Sequence, residues 1–344
     1  MCEGQRQFRE TNDRLSAYCR RMLVLRAALV CFLVHTFGGH TAPGRQAIFS
    51  PDSRFLASAS ADGTVKLWRI ADRKLVRTLM HPAGVTSIAF SPDGQWLASG
   101  SYDGIVRVWG GETPPGQPAG TPARLLRGHS GTVWSVAFAP DGQRLVSSGE
   151  DKTIRIWANG ALVRTLRGHT LNVWRVAFSP NGRLIASSSF DRTIKLWSAD
   201  SGALLRTLAG HKQAVVGLAF SPAGDLIASG SDDSSVKLWR VSDGRLLKTL
   251  TGGTDHVYTV AFSPDGQWLA SGGREPVWDH FVANLGGSPG TTVRLWRVRD
   301  GALQQRLGEH ENDVRSVAFS ADGKWLVTSS EDTTTKLWQL RYTP

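Results

Sequence analysis

Seven times in 344 residues the chain repeats one alternating stretch that closes on a tryptophan, and this recurrence restricts the possible folds more than any other feature. The tryptophans are Trp68, Trp109, Trp157, Trp197, Trp239, Trp296 and Trp338, and Asp191-Arg192-Thr193-Ile194-Lys195-Leu196-Trp197 shows the pattern most cleanly. Polar and apolar residues alternate at period two, with β-branched residues among them. A half-buried strand requires this, because successive side chains point to opposite faces of a sheet. Each stretch has companions at fixed distances. Six residues before the tryptophan stands Asp62, Asp103, Asp151, Asp191, Asp233 or Asp332, with Gly290 in the sixth copy. Ten before it, in the six regular copies, stands Ser58, Ser99, Ser147, Ser187, Ser229 or Thr328. Twenty-eight before it, in the same copies, stands His40, His81, His129, His169, His211 or His310. Units of about forty residues stack into solenoids or close into rings, and four short strand patterns per unit select the ring.

Turns of one design separate the first and second strands: Ser91-Pro92-Asp93-Gly94, Ala139-Pro140-Asp141-Gly142, Ser179-Pro180-Asn181-Gly182 and Ser263-Pro264-Asp265-Gly266. Proline presets the first turn dihedral and glycine takes the positive one. Gly-His, Ser-Pro-Asp-Gly, the seven-residue stretch and their spacing recur over most of the chain, and on these motifs the sequence resembles the WD-repeat β-propellers. The resemblance implies an all-β, seven-bladed β-propeller of four-stranded antiparallel blades, in a family whose members mostly act as non-catalytic scaffolds for other macromolecules. It also implies structural tetrads that tie the entrance of the inner strand to the third strand. These are His40, Ser58, Asp62 and Trp68; His81, Ser99, Asp103 and Trp109; His129, Ser147, Asp151 and Trp157; His169, Ser187, Asp191 and Trp197; His211, Ser229, Asp233 and Trp239; and His310, Thr328, Asp332 and Trp338.

A histidine, a hydroxyl and an aspartate in each regular repeat could be mistaken for a hydrolytic triad. Six equivalent copies, each with an indole donor as fourth member, instead suit a buried network that satisfies its own polar groups. No catalytic residue is expected. His35, His256 and His280, with Asp255, Asp279 and Glu275, show no recognised ligand spacing, so neither metal nor cofactor is expected. The sixth repeat has Gly252-Gly253 in place of Gly-His and has lost the aspartate, so Trp296 and Ser271 are expected to lack standard partners.

Net charge is +11, but the basic residues are spread over every repeat, as at the second position before each tryptophan: Lys66, Arg107, Arg155, Lys195, Lys237, Arg294 and Lys336. Such a belt reads as edge packing by apolar stems with solvated tips, and no nucleic-acid recognition motif accompanies it. Cys2, Cys19 and Cys31 all precede the repeats, so the ring needs no disulfide and a reducing compartment is acceptable.

Residues 1–32 read as an N-terminal extension and residues 33–344 as the propeller. Phe8, Leu15, Tyr18, Met22, Leu25, Leu29 and Phe32 are spaced as one face of an amphipathic helix. The run from Met22 to Val34 behind Arg20 and Arg21 also fits a signal for export. Its longest unbroken apolar stretch, Ala27 to Val34, is too short to span a bilayer. Against cleavage, Leu33-Val34-His35-Thr36-Phe37 aligns with Leu162-Val163-Arg164-Thr165-Leu166, the outer strand of a later repeat, while too little chain follows Trp338 to finish the last blade. The N-terminal strand is therefore expected to complete the C-terminal blade, which favours an uncleaved, cytoplasmic, monomeric propeller. The inner strand of the first repeat, Pro43-Gly44-Arg45-Gln46-Ala47, departs most from the pattern, so that blade is expected to be the loosest.

Two insertions break the regularity and are expected on opposite faces. Residues 110–122 read as a flexible loop of Gly, Pro, Thr and Gln. The other lies in the sixth repeat and carries Trp278, His280 and Phe281, a content unlike that of a passive spacer. In the family, partners often contact the start of the inner strand and the residue before the aspartate. Carried over by position, the partner-binding residues are Arg45, Trp134, Trp174, Tyr258 and Arg315, with Tyr102 and Phe190, joined by Trp278, His280 and Phe281 of the insertion. Aromatic and arginine side chains are the favoured anchors of interfaces. The same rings also fit simple stacking between blades. The expected function is a scaffold for other proteins or peptides; the alternative is a propeller enzyme or ligand-binding protein using the sixth-repeat insertion.

Overall fold

The computed structural model describes residues 28–110, 121–252, 256–274 and 291–343. Within them the chain forms twenty-eight strands, β1 to β28 in chain order, arranged as seven four-stranded antiparallel sheets. Six blades are continuous in sequence, spanning residues 44–80, 85–126, 133–166, 173–209, 215–251 and 256–310. The seventh combines β26 (Val314–Phe319), β27 (Trp325–Ser330) and β28 (Thr335–Thr343) with an outer strand from the other end of the chain, β1 (Ala28–Phe37), in the order β1-β28-β27-β26. Among the described residues no helix is long and apolar enough to cross a membrane.

The outer strand starts five residues earlier than the expected Leu33. The reason lies in β28, which runs past Trp338 to Thr343 and offers ladder positions for Ala28 against Thr343 through Phe32 against Gln339. Leu29 and Phe32, read from spacing as neighbours on a helix face, therefore fall on opposite faces of a strand: Leu29 is fully buried and Phe32 is exposed. The rest of that spacing pattern lies outside the described residues. Leu29 and Cys31 join Trp268, Leu295 and Val314 in the core between the sixth and seventh blades. Gln305 of the sixth blade holds the Cys31 backbone from both sides, accepting its N–H at 2.8 Å and donating to its carbonyl at 3.1 Å. Phe37, at the other end of β1, packs with Phe49 and Trp68 of the first blade.

Every core cluster follows the same plan, with one blade's strands packing onto the next. Val65 and Leu79 of the first blade meet Val85, Ile88 and Trp109 of the second. Within a blade the Ser-Pro-Asp-Gly turns behave as their residues require: Gly94, at φ 72°, donates its N–H to the Ser91 carbonyl at 2.9 Å, and the Ser91 hydroxyl accepts the Trp96 N–H at 2.9 Å.

The inner strands are β2 (Gly44–Phe49), β6 (Val85–Phe90), β10 (Val133–Phe138), β14 (Val173–Phe178), β18 (Val215–Phe220), β22 (His256–Phe262) and β26. They surround a central channel of about 350 Å³ lined by residues of all seven blades, including Gln46, Ile88, Val136, Arg175, Leu218, Val260 and Val317. Despite its irregular sequence, β2 is a full six-residue strand. Around the channel, side chains of one inner strand accept an N–H from the next. Gln46 takes that of Ile88 at 2.8 Å, Ser87 that of Val136 at 3.2 Å, and Ser135 that of Val176 at 3.3 Å. Thr259 takes that of Val317 and Ser316 that of Ala47, both at 3.3 Å. The corresponding positions in the fourth and fifth blades hold Arg175 and Gly217, and among the described residues no side-chain acceptor faces the N–H groups of Leu218 and Val260.

Candidate functional site

Five of the six regular repeats form complete tetrads. In the fourth blade the Trp197 indole donates to the Ser187 hydroxyl at 2.8 Å, and that hydroxyl is 2.8 Å from His169 Nε2. Because Ser187 accepts from the indole, its own proton goes to Nε2, and His169 Nδ1–H then donates to Asp191 at 2.7 Å. Asp191 is also held by the Thr193 hydroxyl at 2.6 Å and by the N–H of Thr170 at 3.1 Å. Gly168, just before the histidine, is required by close approach: a Cβ there would lie 3.0 Å from the Trp197 ring. The blades containing His40, His129, His211 and His310 repeat the network, with Nδ1 to aspartate distances from 2.7 to 3.0 Å. Burial alone would raise the pKa of these aspartates, but the histidine, hydroxyl and backbone donors outweigh it and hold Asp151, Asp191, Asp233 and Asp332 well below the usual carboxylate range. Ser58, Ser147, Ser187 and Ser229 are fully buried, so none can present a nucleophile to a substrate carbonyl.

The second repeat corrects the expected pattern. The Ser99 hydroxyl accepts from Trp109 at 2.9 Å and lies 2.8 Å from His81 Nε2, but Asp103 does not meet His81. Its carboxylate turns to the Arg107 guanidinium, at 2.7 and 3.1 Å, leaving His81 Nδ1 buried without a partner. Two donors that anchor the aspartate elsewhere are missing. Pro82 has no N–H where Thr41, Ser130, Thr170, Lys212 and Glu311 donate theirs, and Ile105 has no hydroxyl where Thr64, Thr153, Thr193, Ser235 and Thr334 have one. The signal was in the sequence, at those two positions. The sixth repeat differs from expectation in the other direction: Trp296 donates to Ser271 at 2.8 Å, because the register, with Trp296 opposite Leu269 and Ser271 opposite Arg294, keeps the pair diagonal across adjacent strands despite the insertion between them. The basic belt also differs from its reading, since Arg107, Lys237 and Arg294 are buried, on third strands flanked by neighbours on both sides.

The aromatic residues come together on the face that carries the Gly-His loops. Tyr102 meets Trp134 edge-on with centroids 5.9 Å apart, Trp134 stacks on Trp174 at 4.3 Å and 23°, and Trp174 tilts against Phe190 at 5.2 Å. The four rings, all half-buried, form one arc across the second, third and fourth blades. Arg45 lies 5.9 Å from the Tyr102 ring and pairs with Glu331 at 3.3 Å. Arg315 sits 3.9 Å from the Tyr258 ring and reaches Glu331 at 2.7 Å and Asp313 at 3.3 Å. Burial pushes the Tyr258 hydroxyl up to about 12, so it remains a neutral donor at any physiological pH. Arg45, Trp134, Trp174, Tyr258 and Arg315 ring the mouth of the channel together with Thr86 and Arg175. Arg175 was missed at the sequence level. Its signal is the register: it stands where Gln46, Ser87, Ser135, Thr259 and Ser316 bridge blades. Trp278, His280 and Phe281 lie outside the described residues, and β23 (Trp268–Arg274), which leads into that insertion, ends opposite His256 on the same face.

Comparison with known proteins agrees with this architecture. The family model described as WD domain, G-beta repeat matches residues 31–69, 73–110, 120–158, 160–198, 202–240, 244–297 and 301–339. The chain is 43% identical over 51 residues to the target of rapamycin complex subunit wat1 of Schizosaccharomyces pombe, covering 14% of this chain and 16% of that protein. It is 40% identical over 60 residues to the nuclear distribution protein PAC1 of Tuber melanosporum, covering 17% and 13%. With the guanine nucleotide-binding protein subunit beta of Zea mays it shares 43% identity over 58 residues, covering 17% and 15%. Each match thus spans less than a fifth of either chain.

Proposed function

This chain belongs to the WD40 family of G-beta repeat proteins, and on that footing we propose that it is a non-catalytic scaffold that binds other proteins or peptides through the face carrying its Gly-His and Asp loops. The observation that carries this reading is the continuous arc Tyr102, Trp134, Trp174 and Phe190 beside the channel mouth. Large rings held by strands and by one another lose little conformational entropy on binding and bury much area. Two relatives bear names that make them subunits of assemblies, which fits a scaffold. The alternative, a ligand site or enzyme built on the sixth-repeat insertion, rests on residues outside those described. A cytoplasmic, monomeric state belongs to the same proposal; β1 supports it as an integral strand of the ring.

Partners captured from native lysate by the wild-type chain and by a Trp134→Ala/Trp174→Ala double variant provide the test. Affinity for the captured partner is expected to fall by at least about 2 kcal/mol in the double variant, the usual threshold for a hot spot. The stacking between the two rings is worth about 0.5–1.5 kcal/mol beyond the area they bury, so the affinity is read on the folded fraction of the variant. Unchanged binding by its folded fraction would move the partner to the rim or the opposite face.

A further inference from the structure

We propose that the channel mouth is a receptor for one side-chain carboxylate of a polypeptide partner, with Arg175 as the residue that takes it. The inference deepens the scaffold reading and rests on it for the face concerned.

Hydrogen-bond donors at the mouth outnumber the acceptors. Of the three arginines there, Arg45 and Arg315 have carboxylate partners, while Arg175 makes no hydrogen bond or ion pair among the described residues. The Trp134 indole N–H and the Arg45 Nε–H face the same region, both buried and both without an acceptor. Burying an unpaired donor is costly, so two of them beside a half-buried guanidinium without a partner among the described residues mark a site where an acceptor is missing. The Trp134, Trp174 and Tyr258 rings form a low-dielectric collar in which a charge-assisted bond to that acceptor is stronger than in water. Burial lowers the Arg175 guanidinium to about 10, which still leaves it cationic at neutral pH.

Packing does not account for this arginine. At the same register the ring places side chains that bridge one blade to the next, and Gly217 is the other exception. Gly217 has a steric reason, because a Cβ there would lie 3.2 Å from the Gly230 nitrogen and 3.4 Å from the Thr259 carbonyl carbon. Arg175 has no such reason: it removes the acceptor for the Leu218 N–H and among the described residues pairs with nothing in return. The cavity at the mouth, of about 30 Å³, has room for a small polar group.

The test uses nonapeptide libraries on beads, degenerate except for a central Glu, Gln, phosphoserine or Lys, with retention of the full chain as the readout. The Glu library is expected to retain at least about tenfold more protein than the Gln library. In Arg175→Ser that preference should disappear while the melting temperature rises, because serine restores the acceptor for Leu218. The Trp134→Ala/Trp174→Ala variant should lose retention on all four libraries. Equal retention on Glu and Gln, or a Glu preference that survives Arg175→Ser, overturns the proposal, as does stronger retention on phosphoserine than on Glu. If the tryptophan variant loses all retention while Arg175→Ser keeps its preference, the carboxylate site alone fails. If the tryptophan variant is unaffected while Arg175→Ser loses its preference, the aromatic face fails and the arginine site stands.

Discussion

Asp191 and His81 both lose stability to acid, in different pH windows and for opposite reasons, since the fold favours the charged form of one and the neutral form of the other. The pKa of Asp191 is depressed in the fold, so its contribution to stability is present above the unfolded value of about 3.8 and is lost as pH falls through the depressed value. Asp191→Ala leaves His169 short of an acceptor and should cost roughly 1–3 kcal/mol in urea unfolding at neutral pH, with binding intact once folded. His81 is pushed down to about 4, first by burial and then by the Arg107 charge, which the opposing charge of Asp103, turned towards Arg107, does not offset. As pH falls from 6.5 towards 4 the unfolded chain takes up a proton that the folded chain refuses, so stability is lost across that window and is flat below it. The double variant Pro82→Thr/Ile105→Thr supplies both missing donors, returns Asp103 to His81 and should reduce this loss, by on the order of 1–3 kcal/mol. Parallel stability curves for variant and wild type between neutral pH and pH about 4.5 would show that Asp103 had not moved. The tetrad members were legible from spacing alone, whereas the failure at Asp103 depended on what held the carboxylate.

Among the elements, β1 carries the most consequence, since it supplies the outer strand of a blade whose other strands lie at the far end of the chain. A chain truncated to begin at His40 loses the burial of Leu29, Cys31 and Phe37, and fully burying a large apolar side chain is worth about 1.5–3 kcal/mol. It also exposes the open edge of β28 to pairing with another copy. Compared with a chain beginning at Ala27, it should melt lower and self-associate, as read by thermal unfolding and light scattering. Equal melting temperatures and equal monodispersity would show that β1 is dispensable. Alignment with a later outer strand made this element legible. Its start was not, because the length of β1 is set by how far β28 extends beside it.

Across the whole molecule, five bridges circle the channel and two successive ones are missing, on either side of the fifth blade. Each bridge is one net hydrogen bond of about 1 kcal/mol, small beside the core but placed where adjacent blades would separate. The ring should therefore open most readily around β18. In native-state hydrogen exchange the amides of Leu218 and Val260 are expected to exchange faster than those of Val136 and Val176, and matching rates would show that the bridges do not govern opening. The first blade, expected from its sequence to be the loosest, keeps both of its bridges, through Gln46 and Ser316.

The ring, the seven blades, the turn chemistry and the tetrad members were legible in the amino-acid sequence, because each follows from a local period or a fixed spacing that recurs. The sequence also indicated that Arg45, Trp134, Trp174, Tyr258 and Arg315 belong together, since equivalent positions in a ring must face the same way. Tertiary contacts alone set which carboxylate each arginine meets, that Asp103 leaves His81 for Arg107, and that Arg175 has no partner among the described residues. Periodicity fixes the direction of a side chain, but pairing depends on distances between blades far apart in sequence, and no repeat encodes those.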